Sequence, residues 1–267
     1  MSDYPHRIVC LTEETTELFY LLGEQDRIVG ITAYTERPPE AKRDKPVVTA
    51  FISGSIPKIQ ALKPDLVIGF SDIQGDFAAE LIKAGLNVLI MNQRSLDETL
   101  NAMLLLGRLV GRESETRALV NDWCGKLETI RAETAGRPRP RIFFQEWDEP
   151  LITGIRWVSE LIEIAGGEDC FAELRENPMA KDRITDVETV AARAPDAIIG
   201  SWCGKPVDYD WVREKWKDTK AVRENRLYEI PSEIILQPGP ALFLDGIDAL
   251  KKYIDLARGE NTNGTKK

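Results

Sequence analysis

An α/β fold of two similar lobes, each with a parallel-rich sheet, follows from three features of the chain. Apolar strand-like runs alternate with segments of helical periodicity, the pattern of parallel sheets covered by helices. One stretch restates another: Ile59, Ala61, Pro64, Asp65, Ile68 and Gly69 in IQALKPDLVIGF are matched 131 places later by Val190, Ala192, Pro195, Asp196, Ile199 and Gly200 in VAARAPDAIIGS. A second echo links Thr16, Glu17, Leu18, Leu21, Gly23 and Asp26 with Ser159, Glu160, Leu161, Ile164, Gly166 and Asp169 at an offset of 143. One α/β unit used twice, with a ligand cleft between the copies, accounts for both echoes.

In the first lobe, RIVCL at 7–11, RIVGIT at 27–32, DLVIGF at 65–70 and NVLIMN at 87–92 read as buried strands. Helical periodicity covers 15–22, 56–62 and 77–84 between them. Ser95 with Glu98 forms a capping box that opens a helix through Val110, where Gly111 interrupts it. A further helical run over 113–134 puts Leu119, Trp123, Leu127 and Ile130 on one face. At about 1.5 Å per residue it is roughly 33 Å long, the size of a small domain, and Gly136, Pro138 and Pro140 stop it. Strand RIFFQEW at 141–147, helices near 158–165 and 187–194, strand DAIIGSW at 196–202 and strand RLYEIP at 226–231 build the second lobe. Pro238, Gly239 and Pro240 precede a last helix over 241–256. The expected domains are 1–111, a bridging helix 112–137, a second lobe 138–257 and a loose tail 258–267.

With 267 residues, 43% of them apolar, the chain has enough material for two cores. A net charge of -9 argues against nucleic acid or an anionic membrane as partner, since both reward clustered Lys and Arg. Apolar stretches of four to six residues cannot span a bilayer, so no membrane insertion is expected. The opening MSDYPHRIVCL has no secretory signal, which places the chain as written in the cytoplasm, and in the periplasm if a signal has been trimmed. Cys10, Cys124, Cys170 and Cys203 show no CxxC spacing and read as free thiols.

Much catalytic chemistry is excluded. His6 is the only histidine, which rules out a metal centre of several imidazoles and a HExxH site, and leaves a Ser-His-Asp triad only if His6 serves it. Neither GxGxxG nor GxxxxGK[ST] occurs. Glu146, Asp148 and Glu149 gather at the end of RIFFQEW, where open α/β sheets place ligand-binding groups, and they support an enzyme as the lesser alternative.

Aromatic residues gather at the same ends. Phe70 closes DLVIGF, Trp147 closes RIFFQEW and Trp202 closes DAIIGSW, while Tyr34 follows RIVGIT and Phe51 lies in the Gly/Ser-bearing loop TAFISGS. Large flat side chains there suit a bulky, partly apolar ligand. Trp123 belongs to the apolar face of the long helix and reads as core.

RIVCLTEETTELFYLLGEQDRIVGITAYTERPPEA followed by PVVTAFISGSIPKIQALKPDLVIGF resembles the first lobe of substrate-binding proteins of cobalamin and ferric-siderophore ABC importers. AGGEDCFAE, VETVAARAPDAII and PGPALFLDGIDAL extend the resemblance through the second lobe, over about residues 7–256. It implies two Rossmann-like lobes joined by one rigid helix, and a non-catalytic monomer that clamps a metal chelate with no intrinsic cofactor or metal site. The implied ligand is cobalamin or another corrinoid first, a ferric siderophore or haem second. By position, Tyr34, Phe51 and Phe70 fall where the cobalamin-binding member holds aromatics against the corrin, and Trp147 and Trp202 fall in the facing loops. Glu233 and Gln237 take the positions of an Asp and an Arg that line the same cleft, and losing that Arg weakens a reading based on anionic siderophores.

The resemblance also implies an ABC permease as partner, met by one exposed Glu on each lobe. Glu188 matches the second of these, but the first is Pro57, followed by Lys58, which offers an arginine no ion pair. A cytoplasmic carrier or sensor of the same ligand, undocked to a permease, is therefore the main alternative.

Overall fold

The computed structural model describes residues 5–260. The chain divides into two compact units, the first running through Asp122 with Pro238–Pro240 added, the second comprising Trp123–Gln237 and the chain from Ala241 on. The tail expected from 258 lies outside the described residues from 261 onward.

In the first unit, strands β1 (Ile8–Cys10), β2 (Ile28–Thr32), β3 (Val47–Ala50), β4 (Ser53–Gly54), β5 (Leu66–Phe70) and β6 (Val88–Met91) form one sheet in the order β4-β3-β2-β1-β5-β6. All neighbours are parallel except β3 and β4. The sequence reading missed β3 and β4, whose Gly/Ser-bearing residues form an edge hairpin in place of the expected loop. Val9, Leu11, Ile59, Val67, Phe77 and Leu81 build the core beneath this sheet.

In the second unit, β7 (Arg141–Trp147), β8 (Ile152–Thr153), β9 (Glu168–Asp169), β10 (Ala197–Gly200) and β11 (Leu227–Glu229) are arranged as β11-β10-β7-β8. Strand β9 joins the start of β7 in parallel, and β8 joins its end antiparallel. The order β9-β7-β10-β11 repeats β2-β1-β5-β6, so the units share a topology.

The repeat extends to detail. Ser55 and Asp186, 131 apart, cap the helices Ile56–Ala61 and Val187–Ala192 by accepting from the backbone N–H groups of Lys58 and Thr189. Each helix buries its fourth residue, Ile59 or Val190, completely. Each ends in a turn through a left-handed non-glycine residue, Lys63 and Ala194, both at φ 48°. The aspartate that follows anchors the neighbouring central strand: Asp65 Oδ1 accepts from the Arg7 N–H at 3.0 Å, and Asp196 Oδ2 from that of Arg141 at 2.8 Å. Because a Cβ in the left-handed region costs about 1 to 2 kcal/mol, Lys63→Gly and Ala194→Gly should each stabilise their own unit. The expected gain, net of added freedom in the unfolded chain, is about 0.5 kcal/mol, read as a raised urea midpoint. A lowered midpoint in either variant would show that the native side chain outweighs the strain.

The capping box at Ser95 forms: Ser95 Oγ accepts from the Glu98 N–H and Glu98 Oε2 from the Ser95 N–H, opening helix Leu96–Leu109. Helix Glu113–Thr134 has the bounds the periodicity predicts. Its buried stripe is shifted, however, running through Thr116, Val120, Trp123, Leu127, Ile130 and Thr134, with Leu119 only half-buried. The division between the two units falls within this helix, after Asp122.

On the second unit's side, Trp123 stacks on Phe243 with centroids 5.2 Å apart and planes 10° apart. Phe243 lies in a π-helical turn, Leu242–Gly246, that precedes helix Ile247–Arg258. Lys126 Nζ donates to the carbonyls of Phe243 and Leu244 at 2.8 and 3.0 Å and pairs with Asp248 at 2.8 Å. A π turn misplaces carbonyls that an α-helix would satisfy internally, and the long helix supplies the donor instead.

Candidate functional site

In open parallel sheets, ligands bind beyond the carboxyl ends of the strands where the chain's direction of winding reverses. That point falls between β1 and β5 in the first unit and between β7 and β10 in the second, and in both the strand ends carry the residues singled out from the sequence.

In the first unit, Phe70 ends β5 buried, and Ser71 follows at φ 73°, an uncommon conformation for a residue with a Cβ. Gln74, fully buried, ties three strand ends together. Its Oε1 accepts from the Phe70 N–H at 3.0 Å, and its Nε2 donates to the carbonyls of Phe51 at 2.5 Å and Leu11 at 3.5 Å. Phe51 is half-buried, and Tyr34 is 51% exposed beyond β2. Ile52 and Ile73 are also exposed on these loops, so apolar surface collects along this edge of the sheet. Arg94 lies over the Phe70 ring at 5.0 Å and pairs with Asp72 at 2.5 Å.

After β1 the chain turns at Thr12 into helix Glu13–Leu21, whose first turn buries Glu13 and Glu14. Thr12 Oγ1 donates to Glu14 Oε1 at 2.6 Å, while Glu14 Oε2 is buried without a partner. Burial pushes the Glu14 carboxyl up to about 7, and the charge of Glu17 adds to the shift. Glu17 itself receives the Arg37 guanidinium at 2.7 Å.

In the second unit, Trp147 is half-buried at the end of β7 and donates its indole N–H to the Glu149 carbonyl at 3.0 Å. Trp202 is only 4% exposed and belongs to the core with Phe143, Leu151, Phe171, Val207 and Trp216. Trp211 meets both Trp202 and Trp216 edge-on, at 6.1 and 5.6 Å. Trp157 is buried too, with its N–H on the Ile235 carbonyl at 2.9 Å. Glu233 sits half-buried in the short helix Ser232–Ile235, and Gln237 half-buried just after it. Gln145 on β7 is wholly buried with neither side-chain amide atom partnered.

The acidic cluster is engaged in ion pairs. Glu146 receives the Arg183 guanidinium through both oxygens at 2.7 and 3.0 Å, and Asp148 holds Lys205 at 2.8 Å. Glu149 is exposed. Among the described residues no three His, Cys, Asp or Glu side chains gather in a way that could hold a metal ion. Cys10 and Cys170 are free thiols, and burial pushes both up to about 12, which leaves them unreactive.

Glu188 is exposed in the first turn of helix Val187–Ala192, at the place Pro57 holds in helix Ile56–Ala61. Pro57 suits that first turn because it lacks the N–H that would go unused there.

Gln74, Ser71, Arg94, Arg183 and Lys205 were not anticipated. Each acts through a contact distant in sequence or through backbone geometry, and a single chain offers no pattern for either.

A protein-family model described as periplasmic binding protein matches residues 8–234. The chain belongs to the periplasmic binding protein family. Among curated relatives, an uncharacterized ABC transporter substrate-binding lipoprotein of Bacillus subtilis is 26% identical over 94% of this chain and 80% of its own length. A vitamin B12-binding protein of Vibrio parahaemolyticus is 27% identical over 90% of this chain and 86% of its own. Among solved structures, the periplasmic vitamin B12 binding protein of Vibrio cholerae aligns with a TM-score of 0.77 at 24% identity, covering 96% of this chain and 98% of that one. The apo form of a periplasmic haem-binding protein from Roseiflexus aligns with a TM-score of 0.79 at 22% identity, covering 94% and 99%. The α/β fold with parallel-rich sheets is thus that of periplasmic binding proteins. The relatives are named as periplasmic or lipoprotein members, which gives no support to the cytoplasmic placement expected from the opening residues. No described helix is long and apolar enough to cross a membrane.

Proposed function

We propose that this chain is the substrate-binding protein of an ABC importer and carries a bulky metal chelate, a cobalamin-type corrinoid first and a ferric siderophore or haem second. The observation that carries the reading is the collection of aromatic and exposed apolar side chains at the carboxyl edges of both parallel sheets, on a chain of this family. Tyr34, Phe51, Phe70, Trp147, Glu233 and Gln237 are the ligand contacts in this reading, Trp202 a core residue of the second unit instead, Glu188 the permease contact and 112–137 the bridging helix. The chain works outside the cytoplasm and performs no chemistry on its cargo. Glu146 and Asp148, bound to Arg183 and Lys205, serve as structural acids.

Calorimetry and absorbance titration with cobalamin, haem and ferric siderophores test it. Absence of binding at about 100 μM, equivalent to roughly -5.5 kcal/mol, would sink the proposal. Trp147→Ala is expected to weaken corrinoid binding by about 1 to 3 kcal/mol. Trp202→Ala should instead lower the stability of the second unit, because the ring is part of its core.

A second reading, a carrier that holds the same ligand without docking, is favoured by Pro57 and Lys58 at the place where Glu188 has its counterpart. Reconstitution with a vitamin B12-type ABC permease would separate the two: delivery by the native chain that is lost in Glu188→Ala supports docking, and no delivery by the native chain supports the carrier.

A further inference from the structure

Lys205 lies in the exposed loop after β10. Its Nζ is 2.8 Å from both carboxylate oxygens of Asp148, 4.4 Å from the centre of the Trp147 ring and 5.0 Å from that of Trp202. The edge of Trp147 is already fixed, since its N–H goes to the Glu149 carbonyl. What the residue has left to offer a ligand is its face, and the ammonium lies over that face. Trp202 is held from another side by Trp211, edge-on. The first unit has the same arrangement, with Arg94 over Phe70 and paired to Asp72. In both units an aromatic residue that ends a central strand is covered by a cation, and an Asp one or two residues further along holds that cation.

We propose that Lys205 determines which ligands the second unit accepts: its ammonium is a displaceable cover on Trp147, removed only by a ligand that brings an extended flat π surface. The proposal rests on the reading of these strand ends as a chelate-binding site, and it deepens that reading by naming the ligand class. A conjugated macrocycle with its metal at the centre replaces the cation–π contact with a larger stacked area. A compact chelate wrapped in aliphatic arms has no such surface, leaves the cover in place and gains nothing from Trp147. The contacts to be displaced, one cation–π and one partly exposed ion pair, together amount to about tenfold in affinity. Because the ion pair is partly exposed, salt loosens the cover and should help a flat ligand bind.

The test uses the full chain, its Lys205→Met variant, haemin as the flat probe and ferrioxamine as the compact one. Lys205→Met removes the charge and keeps an apolar stem. It is expected to bind haemin about 5- to 10-fold more tightly than the native chain, on loss of the contacts just described, and to leave ferrioxamine unchanged. Raising NaCl from about 0.05 to 0.5 M should tighten haemin binding to the native chain but not to the variant. In the ligand-free protein, acrylamide should quench tryptophan emission more strongly in Lys205→Met, and the gain should vanish in a Trp147→Phe background. Equal or weaker haemin binding by a folded Lys205→Met overturns the proposal, as does unchanged quenching. If neither chain binds any probe, the chelate-binding reading fails and this inference fails with it; the quenching comparison then reports only whether Lys205 covers the ring.

Discussion

Replacing Arg183 by Met should destabilise the second unit by about 3 to 5 kcal/mol, the range found when one partner of a buried ion pair is removed. Arg183 is 1% exposed. Its guanidinium reaches both oxygens of Glu146 and also donates to the Thr153 carbonyl, while Thr153 Oγ1 donates back to the Arg183 carbonyl at 3.2 Å. One side chain therefore joins the end of β7, the short strand β8 and the segment that meets β8 at the Ile152–Ile184 bridge. Methionine would fill much of the space but leave Glu146 and the Thr153 carbonyl without their donor. The measurement is urea unfolding followed by tryptophan emission, which reports on the second unit because five of the six tryptophans lie well inside it and Trp123 at its first residue. A second variant, Arg183→Met with Glu146→Leu, should recover most of the loss, since exchanging both partners for apolar groups removes the stranded charge. A single-variant loss below about 1 kcal/mol would place the pair among weak surface contacts. Trp147 follows Glu146 directly, so the same substitution should weaken corrinoid binding as a secondary effect.

Buried parallel strands were the most legible part of the fold. Runs such as DLVIGF and DAIIGS are apolar on both faces because helices cover both, and the repeat placed them in equivalent positions. The short edge strands were not legible. Val47–Ala50 and Ser53–Gly54 are partly exposed and carry Gly and Ser, and Ile152–Thr153 and Glu168–Asp169 are two residues each, too short for any period to register. The turns at Lys63 and Ala194 hid for another reason. Left-handed residues are normally read from Gly or Asn, and here the following Pro and Asp hold the geometry without either. Candidate site residues divide along the same line. Strand-end aromatics can be found from position alone, but which face of each is free cannot. That depends on Lys205, Arg94 and Gln74, which reach them across 57, 24 or 23 residues in the bonds Lys205–Asp148, Arg94 over Phe70 and Gln74–Phe51.

Glu14 should make the protein less stable as pH rises from about 4.5 to about 7. Its carboxyl is 2% exposed, sealed in part by Gly239, where a Cβ would stand 2.3 Å from that of Glu14. Burial raises it from an ordinary 4.5 to about 7. Within that window the folded chain keeps the proton and the unfolded chain has released it, so each step up in pH favours the unfolded state. Below the window both states are protonated, and above it both are ionised, with the charge in the folded state desolvated and close to Glu17. At about 1.36 kcal/mol per pKa unit, the accumulated penalty is on the order of 3 kcal/mol by pH 8. Glu14→Gln keeps the shape and can still accept from Thr12, but has no proton to lose. The stability difference between Glu14→Gln and the native chain, measured by urea unfolding of the first unit at pH 4, 6 and 8, should be lowest at pH 4 and grow in favour of the variant. Taking the difference cancels the groups that respond in the opposite sense, such as Glu24, which Arg27 and Arg112 hold below the ordinary carboxylate range despite its burial. A difference that stays flat across this range would mean that Glu14 remains ionised in the folded chain and that a partner solvates its second oxygen.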